Sequence, residues 1–362
     1  MNLSALAWKW APRLPAGLVR GVFAAAADLA AWRRGKGVRQ LEANLRRVRP
    51  ELGRAGLRRL VRQAMRRYLR YFGEAFQLAA WPPERVAAMA GLVDDGRVRA
   101  ELGARPRAVL ALGHMGNWDL AGAWATGNLA PVITVAEHLR PEEVFQDFLA
   151  MRRRIGLEII ALEPGRPVFG QVLRAARRAD QAGRPWLVAL LADRDLGRGG
   201  VEVQFFGEPA LMAPGPAAAA LALGVPLHAV AMYRRDGGRD RGWPRVRGLG
   251  RGYDLEFSPP IAPPPDQPKA RQIELMTQAW ATFLEGAIRR HPADWHMLQK
   301  VFTADLDPAR LAQVPGDAAA GEAGGAGEAV AAGDGRRGSP GGIGGGGGNG
   351  AGGGVGGIGG GV

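Results

Sequence analysis

The chain predicts an α/β protein: a mostly parallel, mixed sheet flanked by helices, with amphipathic helices at its amino end. Three observations carry this. Short apolar runs rich in Val, Ile and Leu recur from about residue 105 onward, and helical segments separate them. The first hundred residues instead repeat their apolar positions at three- and four-residue steps. The carboxyl end is a Gly/Ala tract: residues 321–362 hold 23 of the 55 glycines in the 362-residue chain, and this part is set apart from the fold. Three parts follow: a helical, membrane-associating part (1–100), an α/β core (101–313) and a Gly/Ala-rich disordered tail (314–362).

In the first part, Leu57, Leu60, Val61, Met65, Tyr68, Leu69 and Phe72 form one helix face. The other face carries Arg54, Arg58, Arg59, Arg62, Arg66, Arg67 and Arg70, with no acid between Leu52 and Gly73. So purely basic a face suits anionic headgroups, although a charged face is often only a solvated one. Leu3, Leu6, Ala7 and Trp10, with Trp8, Lys9 and Arg13 nearby, suit either a membrane interface or a core-packed terminal helix. Arg20 and Asp28 interrupt the apolar stretch from Leu14 to Trp32, which argues against a secretory signal or a spanning helix.

In the second part, strands are expected at Ala108–Leu112, Pro131–Ala136, Leu157–Leu162, Trp186–Ala192, Pro226–Arg235 and Tyr253–Ser258. Helices are expected near 117–126, 141–155 and 167–182, and at Lys269–Arg290, where Ile273, Met276, Trp280, Phe283, Leu284 and Ile288 share a side. The Arg/Gly-rich stretch 234–252 reads as an exposed hairpin connection, and Pro259–Pro265 as a stiff linker. Residues 209–233 lack formal charge, but Pro209, Pro214, Pro216 and Pro226 break them into a buried helix and a strand.

Composition narrows the chemistry. The chain has no cysteine, which excludes disulfides, thiolate zinc sites and a thiol nucleophile. The net charge of +14 favours polyanionic partners, although only four of the 48 basic residues are lysine and an arginine-rich, GC-rich coding bias explains part of it. No nucleic-acid motif accompanies the charge, and the aromatics are not interleaved with the basic patches. No Gly-rich phosphate loop with its lysine is present.

The informative segment is Leu112-Gly-His-Met-Gly-Asn-Trp-Asp-Leu-Ala-Gly122, which follows the first apolar strand and runs into a helix. Strand ends of this kind form the active-site crevice of open α/β sheets. Within a continuous helix, His114 and Asp119 would lie about 140° apart. With His114 ahead of the helix, the chain curls so that Asp119 meets Nδ1, fixing the tautomer and leaving Nε2 as a base for an alcohol. Backbone N–H groups near Gly113–Gly116, or Arg194, are candidate oxyanion donors. His291 and His296 bracket a Trp at a five-residue spacing, and a packed or capping role is favoured over zinc. His138 and His228 carry no signal.

The string His114-Met-Gly-Asn-Trp-Asp119 resembles the His-x4-Asp motif of lysophospholipid and glycerolipid acyltransferases. Within them it is similar to the bacterial lipid A lauroyl and myristoyl acyltransferases, and more so to actinobacterial phosphatidylinositol mannoside acyltransferases. Also similar, in the same order, are Asn44-Leu45-Arg-Arg-Val48, Arg152 ahead of Ile155-Gly156-Leu157-Glu158, Asp193-Arg194-Asp195-Leu196, Gly200-Val-Glu-Val203, Phe205-Phe206-Gly207 and His291-Pro-Ala-Asp-Trp-His296-Met-Leu298. The resemblance spans roughly residues 5–310 and implies a glycerolipid acyltransferase-like fold docked on the cytoplasmic face of the cell membrane. It implies transfer of a long, palmitoyl-like chain from acyl-CoA to a mannose 6-hydroxyl of phosphatidylinositol mannoside, with acyl-CoA as co-substrate and neither cofactor nor metal.

By this resemblance the catalytic set is His114, Asp119 and Asp193, with Arg152 a site arginine; Arg194 and Glu202 are further substrate-binding candidates. Glu202 also reads as a solvent-facing strand residue. The resemblance places glutamate where this chain has Asp193, one methylene shorter, so its reach to His114 is open. An apolar groove for the acyl tail would be lined by 209–233 and 117–126, which core packing explains equally well. The alternatives are another glycolipid acceptor such as a lipid A precursor, acyl carrier protein as donor, and a non-catalytic basic protein that binds anionic lipid.

Overall fold

The computed structural model describes residues 14–136, 142–161, 168–195, 199–235 and 252–306. Four helices come first: α1 (Ala16–Arg33), α2 (Lys36–Val48), α3 (Arg54–Leu78) and α4 (Pro83–Met89). There follow β1 (Ala90–Leu92), α5 (Asp95–Leu102), β2 (Arg107–Leu112), α6 (Trp118–Asn128), β3 (Val132–Ala136), α7 (Glu142–Arg154), β4 (Glu158–Ala161), α8 (Val168–Gln181) and β5 (Trp186–Leu191). A hairpin of β6 (Val201–Phe205) and β7 (Glu208–Met212) leads to α9 (Gly215–Leu223), β8 (Leu227–Arg234), β9 (Tyr253–Phe257) and α10 (Lys269–Arg290). Two 3₁₀ turns, Pro292–Asp294 and Thr303–Asp305, close the described chain.

The main sheet has the order β1-β9-β8-β2-β5-β3-β4. All neighbours are parallel except β8 and β9, so the sheet is mixed and mostly parallel, as expected. Strands β2, β5 and β8 are almost entirely buried because helices cover both faces, which is why they read as unbroken apolar runs. One core layer joins α8, α9 and α10 to the sheet; a second sets α6 against the opposite face. Residues 209–233 and the inner face of α6 lie in these two cores. Phe206 and Gly207, both at positive φ (53° and 81°), make the tight β6–β7 turn that a two-residue hairpin loop requires.

Two readings change. Residues 90–92 lie in the part read as helical but form an edge strand, Ala90–Leu92 pairing with Tyr253–Leu255; three residues are too few to show a period. The arginine face of α3 is not left wholly to solvent. Arg62 and Arg66 both grip Asp28 of α1, at 2.7 and 2.6 Å, Arg67 pairs with Asp294, and Arg70 with Glu74 at 2.5 Å. These acids come mostly from elsewhere in the chain, so a local charge tally misses them. Arg54, Arg58 and Arg59 stay exposed. Beside this helix, α1 and its lead-in expose Leu14, Leu18, Val22, Leu29 and Trp32, the last at 77%. Among the described residues no helix is long and apolar enough to cross a membrane. Leu3 to Arg13, His138, and most of the 234–252 connection lie outside the described residues, as does the tail from residue 314.

Candidate active site

Parallel register assembles the site. Leu112 at the end of β2 pairs with Leu191 at the end of β5, and Ala192 N–H donates to Leu112 O at 2.9 Å. Two residues beyond each strand, His114 and Asp193 therefore meet, although 79 residues separate them in sequence. His114 Nδ1 lies 2.5 Å from Asp193 Oδ1, and the His114 backbone N–H donates to Asp193 Oδ2 at 2.9 Å. Trp295 Nε1 donates to the same Oδ2, also at 2.9 Å. Asp193 is fully buried and His114 is 5% exposed. Burial pushes the Asp193 carboxyl up, but the His114 ring, with the Trp295 and backbone hydrogen bonds, outweighs it and holds the carboxyl below its ordinary value. No hydrogen bond among the described residues engages Nε2 of His114.

The expected contact between Asp119 and His114 Nδ1 is not made. The nitrogen is taken by Asp193, and Asp119 sits inside the first turn of α6, where it accepts from Arg152 Nε at 2.7 Å, Arg152 Nη2 at 3.3 Å and Tyr71 Oη at 2.8 Å. The physical reason is helical: Asn117 is the N-cap of α6, its Oδ1 accepting from Leu120 N–H at 3.0 Å, so Asp119 is already inside the helix and points away from the turn that carries His114. Burial depresses the Arg152 guanidinium, but Asp119 and Tyr71 outweigh it and raise it above its ordinary value. Asp119 thus orients Arg152, and Asp193 orients His114; the one-methylene-shorter Asp193 does reach the imidazole.

The segment after α10 closes the site. His296 N–H donates to His114 O at 2.8 Å, Gly116 N–H to Asp294 O at 2.9 Å, and His296 Nε2 to Gly116 O at 3.0 Å. The His296 ring lies against Tyr68 and Trp118. Burial, assisted by Arg67 and His114 against the Gly116 hydrogen bond, lowers its pKa to about 3, so it is a neutral packed imidazole. Three of the amides expected to hold an oxyanion are consumed internally: that of His114 by Asp193, that of Met115 by Gly113 O, that of Gly116 by Asp294 O. Arg194 is buried in the turn with Asp193. Trp118, whose ring meets that of His114 edge-on at 5.6 Å, has a buried Nε1 with no hydrogen-bond partner among the described residues. Glu202 faces solvent on β6, opposite Leu211, and does not join this group.

Sequence reasoning missed Arg67, Tyr71, Glu74, Asn117 and Trp295. Glu74 left a trace: it is the lone acid in the otherwise apolar end of α3, Tyr71-Phe-Gly-Glu-Ala-Phe76.

An imidazole–carboxylate pair at the ends of adjacent parallel strands, with no hydrogen bond among the described residues on the second ring nitrogen, can take a proton from a hydroxyl. The model of the bacterial lipid A biosynthesis acyltransferase family matches residues 2–304, and the chain belongs to that family: it is an acyltransferase. Particular relatives are closer in kind. The phosphatidylinositol mannoside acyltransferase of Mycolicibacterium smegmatis (strain ATCC 700084 / mc(2)155) is 37% identical over 312 residues, covering 86% of this chain and 93% of the relative. That of Mycobacterium tuberculosis (strain ATCC 25618 / H37Rv) is 36% identical over 313 residues, covering 86% of this chain and 90% of the relative.

Proposed function

We propose that the chain moves a palmitoyl-like acyl group from acyl-CoA to a mannose hydroxyl, at the 6-position, of phosphatidylinositol mannoside, working at the cytoplasmic face of the membrane. The observation that carries the chemistry is the 2.5 Å contact of His114 Nδ1 with buried Asp193, with Nε2 left open. The acceptor is taken from the two mycobacterial relatives.

In this reading His114 Nε2 takes the proton of the mannose hydroxyl as its oxygen attacks the thioester carbonyl. Asp193 holds the tautomer and stabilises the imidazolium. The C–O bond forms, the tetrahedral oxyanion collapses, and the C–S bond breaks to release CoA thiolate, which the proton on His114 can neutralise. A positioned base of this type supplies about 10²–10⁴ in rate. With the 114–116 amides occupied, Trp118 Nε1, which has no hydrogen-bond partner among the described residues, is an oxyanion donor to test, and Arg194, adjacent to Asp193, is a second candidate. Arg152, oriented by Asp119, binds a phosphate of donor or acceptor. The exposed Leu18, Val22, Leu29 and Trp32 of α1, beside exposed Arg54, Arg58 and Arg59 of α3, suit an anionic bilayer surface.

Purified protein is incubated with palmitoyl-CoA and mannosylated phosphatidylinositol, and the products are weighed by mass spectrometry. The expected product is the acceptor heavier by one palmitoyl group, and its absence with folded His114→Ala. Turnover only with a lipid A precursor, or only with acyl carrier protein as donor, would overturn the acceptor or donor assignment. Full activity of His114→Ala would overturn the mechanism.

A further inference from the structure

We propose that Glu74, on α3, is a positioning residue for this reaction, acting on His114 through Asn117. Three residues on one face of α3, at positions 67, 71 and 74, grip three different pieces of the site. Arg67 pairs with Asp294 in the closing segment, Tyr71 donates to Asp119, and Glu74 accepts from Asn117 Nδ2 at 3.0 Å. Glu74 is 4% exposed and fully engaged: Oε1 accepts from Arg70 Nε at 2.5 Å, and Oε2 from Tyr253 Oη at 2.8 Å as well as from Asn117. A buried carboxylate so placed is held by all its partners at once, and losing one leaves a charge or a donor unmet.

Asn117 is the link. It is fully buried, and its polar groups are committed: Oδ1 caps α6, Nδ2 donates to Glu74, its N–H meets Met232 Sδ at 3.3 Å, and its carbonyl accepts from Ala121 N–H at 3.0 Å. It ends the turn that begins at Gly113, so its position sets where His114 lies against Asp193. It also precedes Trp118, whose ring abuts the imidazole. Nothing in the Glu74 cluster reaches the His114 ring itself, so its effect must pass through the turn.

The test transplants the charge. Asn117→Asp keeps the cap oxygen but turns a second carboxylate toward Glu74. Adding Glu74→Gln restores one donor and one acceptor between the two positions with the net charge unchanged; Tyr253 Oη then accepts where it had donated. The readouts are kcat and KM for palmitoyl transfer, per folded molecule and well below the unfolding temperature, and the downfield Nδ1 proton resonance of His114. The inference rests on the acyl-transfer reading only for the kinetic readout; the resonance needs no turnover. N117D is expected to lower kcat ~100-fold with KM within about threefold, as for a misplaced base, and to shift or broaden the resonance. N117D/E74Q is expected to recover at least ~10-fold of that loss and the resonance with it. An unchanged kcat and resonance in N117D, or a double variant no better than N117D, would overturn the proposal. If N117D does not fold, the double variant decides: a folded protein with near wild-type kcat and resonance supports the role, and one that folds with the resonance lost overturns it. A wild-type protein that transfers no acyl group yet shows the resonance lost in N117D and regained in the double variant would overturn the acyl-transfer reading and uphold the positioning role.

Discussion

At the scale of single residues, the site separates two carboxylates that the spacing alone would merge. Asp193 accepts from both the ring and the backbone of His114, which fixes the tautomer and the ring plane together. Asp119 is spent on Arg152 and Tyr71. His296 shows how firmly the turn is held, because its neutral imidazole donates to Gly116 O from a buried position. Its pKa is lowered from 6.5 to about 3 on folding. Between those values the unfolded chain binds a proton that the folded chain does not, so stability rises with pH across the window and is lost as pH falls from about 6.5 toward 3. One such group gives a slope of up to about 1.4 kcal/mol per pH unit. His296→Gln retains an amide donor for Gly116 O but cannot titrate. Urea unfolding between pH 6.5 and 4.5 is expected to show a shallower pH dependence for His296→Gln than for wild type; parallel slopes would contradict a buried neutral His296.

At the scale of elements, the turn from β2 into α6 depends on Gly116. Its φ is +68°, and a Cβ there would lie 2.5 Å from Met232 O on β8. Gly116→Ala thus meets both a disfavoured backbone region and a backbone atom that cannot step aside. A loss of about 2 kcal/mol or more is expected, read as a lower urea midpoint with an unchanged m-value; wild-type stability in this variant would contradict the placement of the turn. This turn was legible in sequence, because Leu112 to Gly122 passes from a β-rich run through two glycines into a helix. So were most strands: Trp186–Leu191 and Leu227–Arg234 are buried on both faces and must be apolar throughout. Asp193 was legible only by resemblance, since the register that brings it to His114 is set by a strand pairing with no local signature. Tyr71 and Glu74 were harder still. They lie on a helix face whose apolar period matches ordinary core packing, and only the fold shows that this core includes the site.

At the scale of the molecule, the closing segment after α10 explains why one continuous chain is needed. Trp295 reaches Asp193, His296 reaches Gly116, and Asn44 of α2 donates to Met297 O and Gln299 O, each at 2.9 Å. Arg47 extends the tie, donating to both oxygens of Asp305 at 2.9 Å and to Glu208 at 2.7 Å. The amino-terminal helices, the hairpin and the carboxyl end of the described chain are thereby locked to the same site, so a cut before Leu306 would cost both stability and activity. Beyond it the composition changes. The family match ends at residue 304, and 23 of the 55 glycines fall in residues 321–362, where almost no large apolar side chain is available to pack. Removing residues 315–362 should therefore leave kcat within about twofold and the unfolding temperature within about 2 °C of the full chain. Loss of acyl transfer in a folded, truncated protein would show instead that the Gly/Ala tract takes part in the reaction.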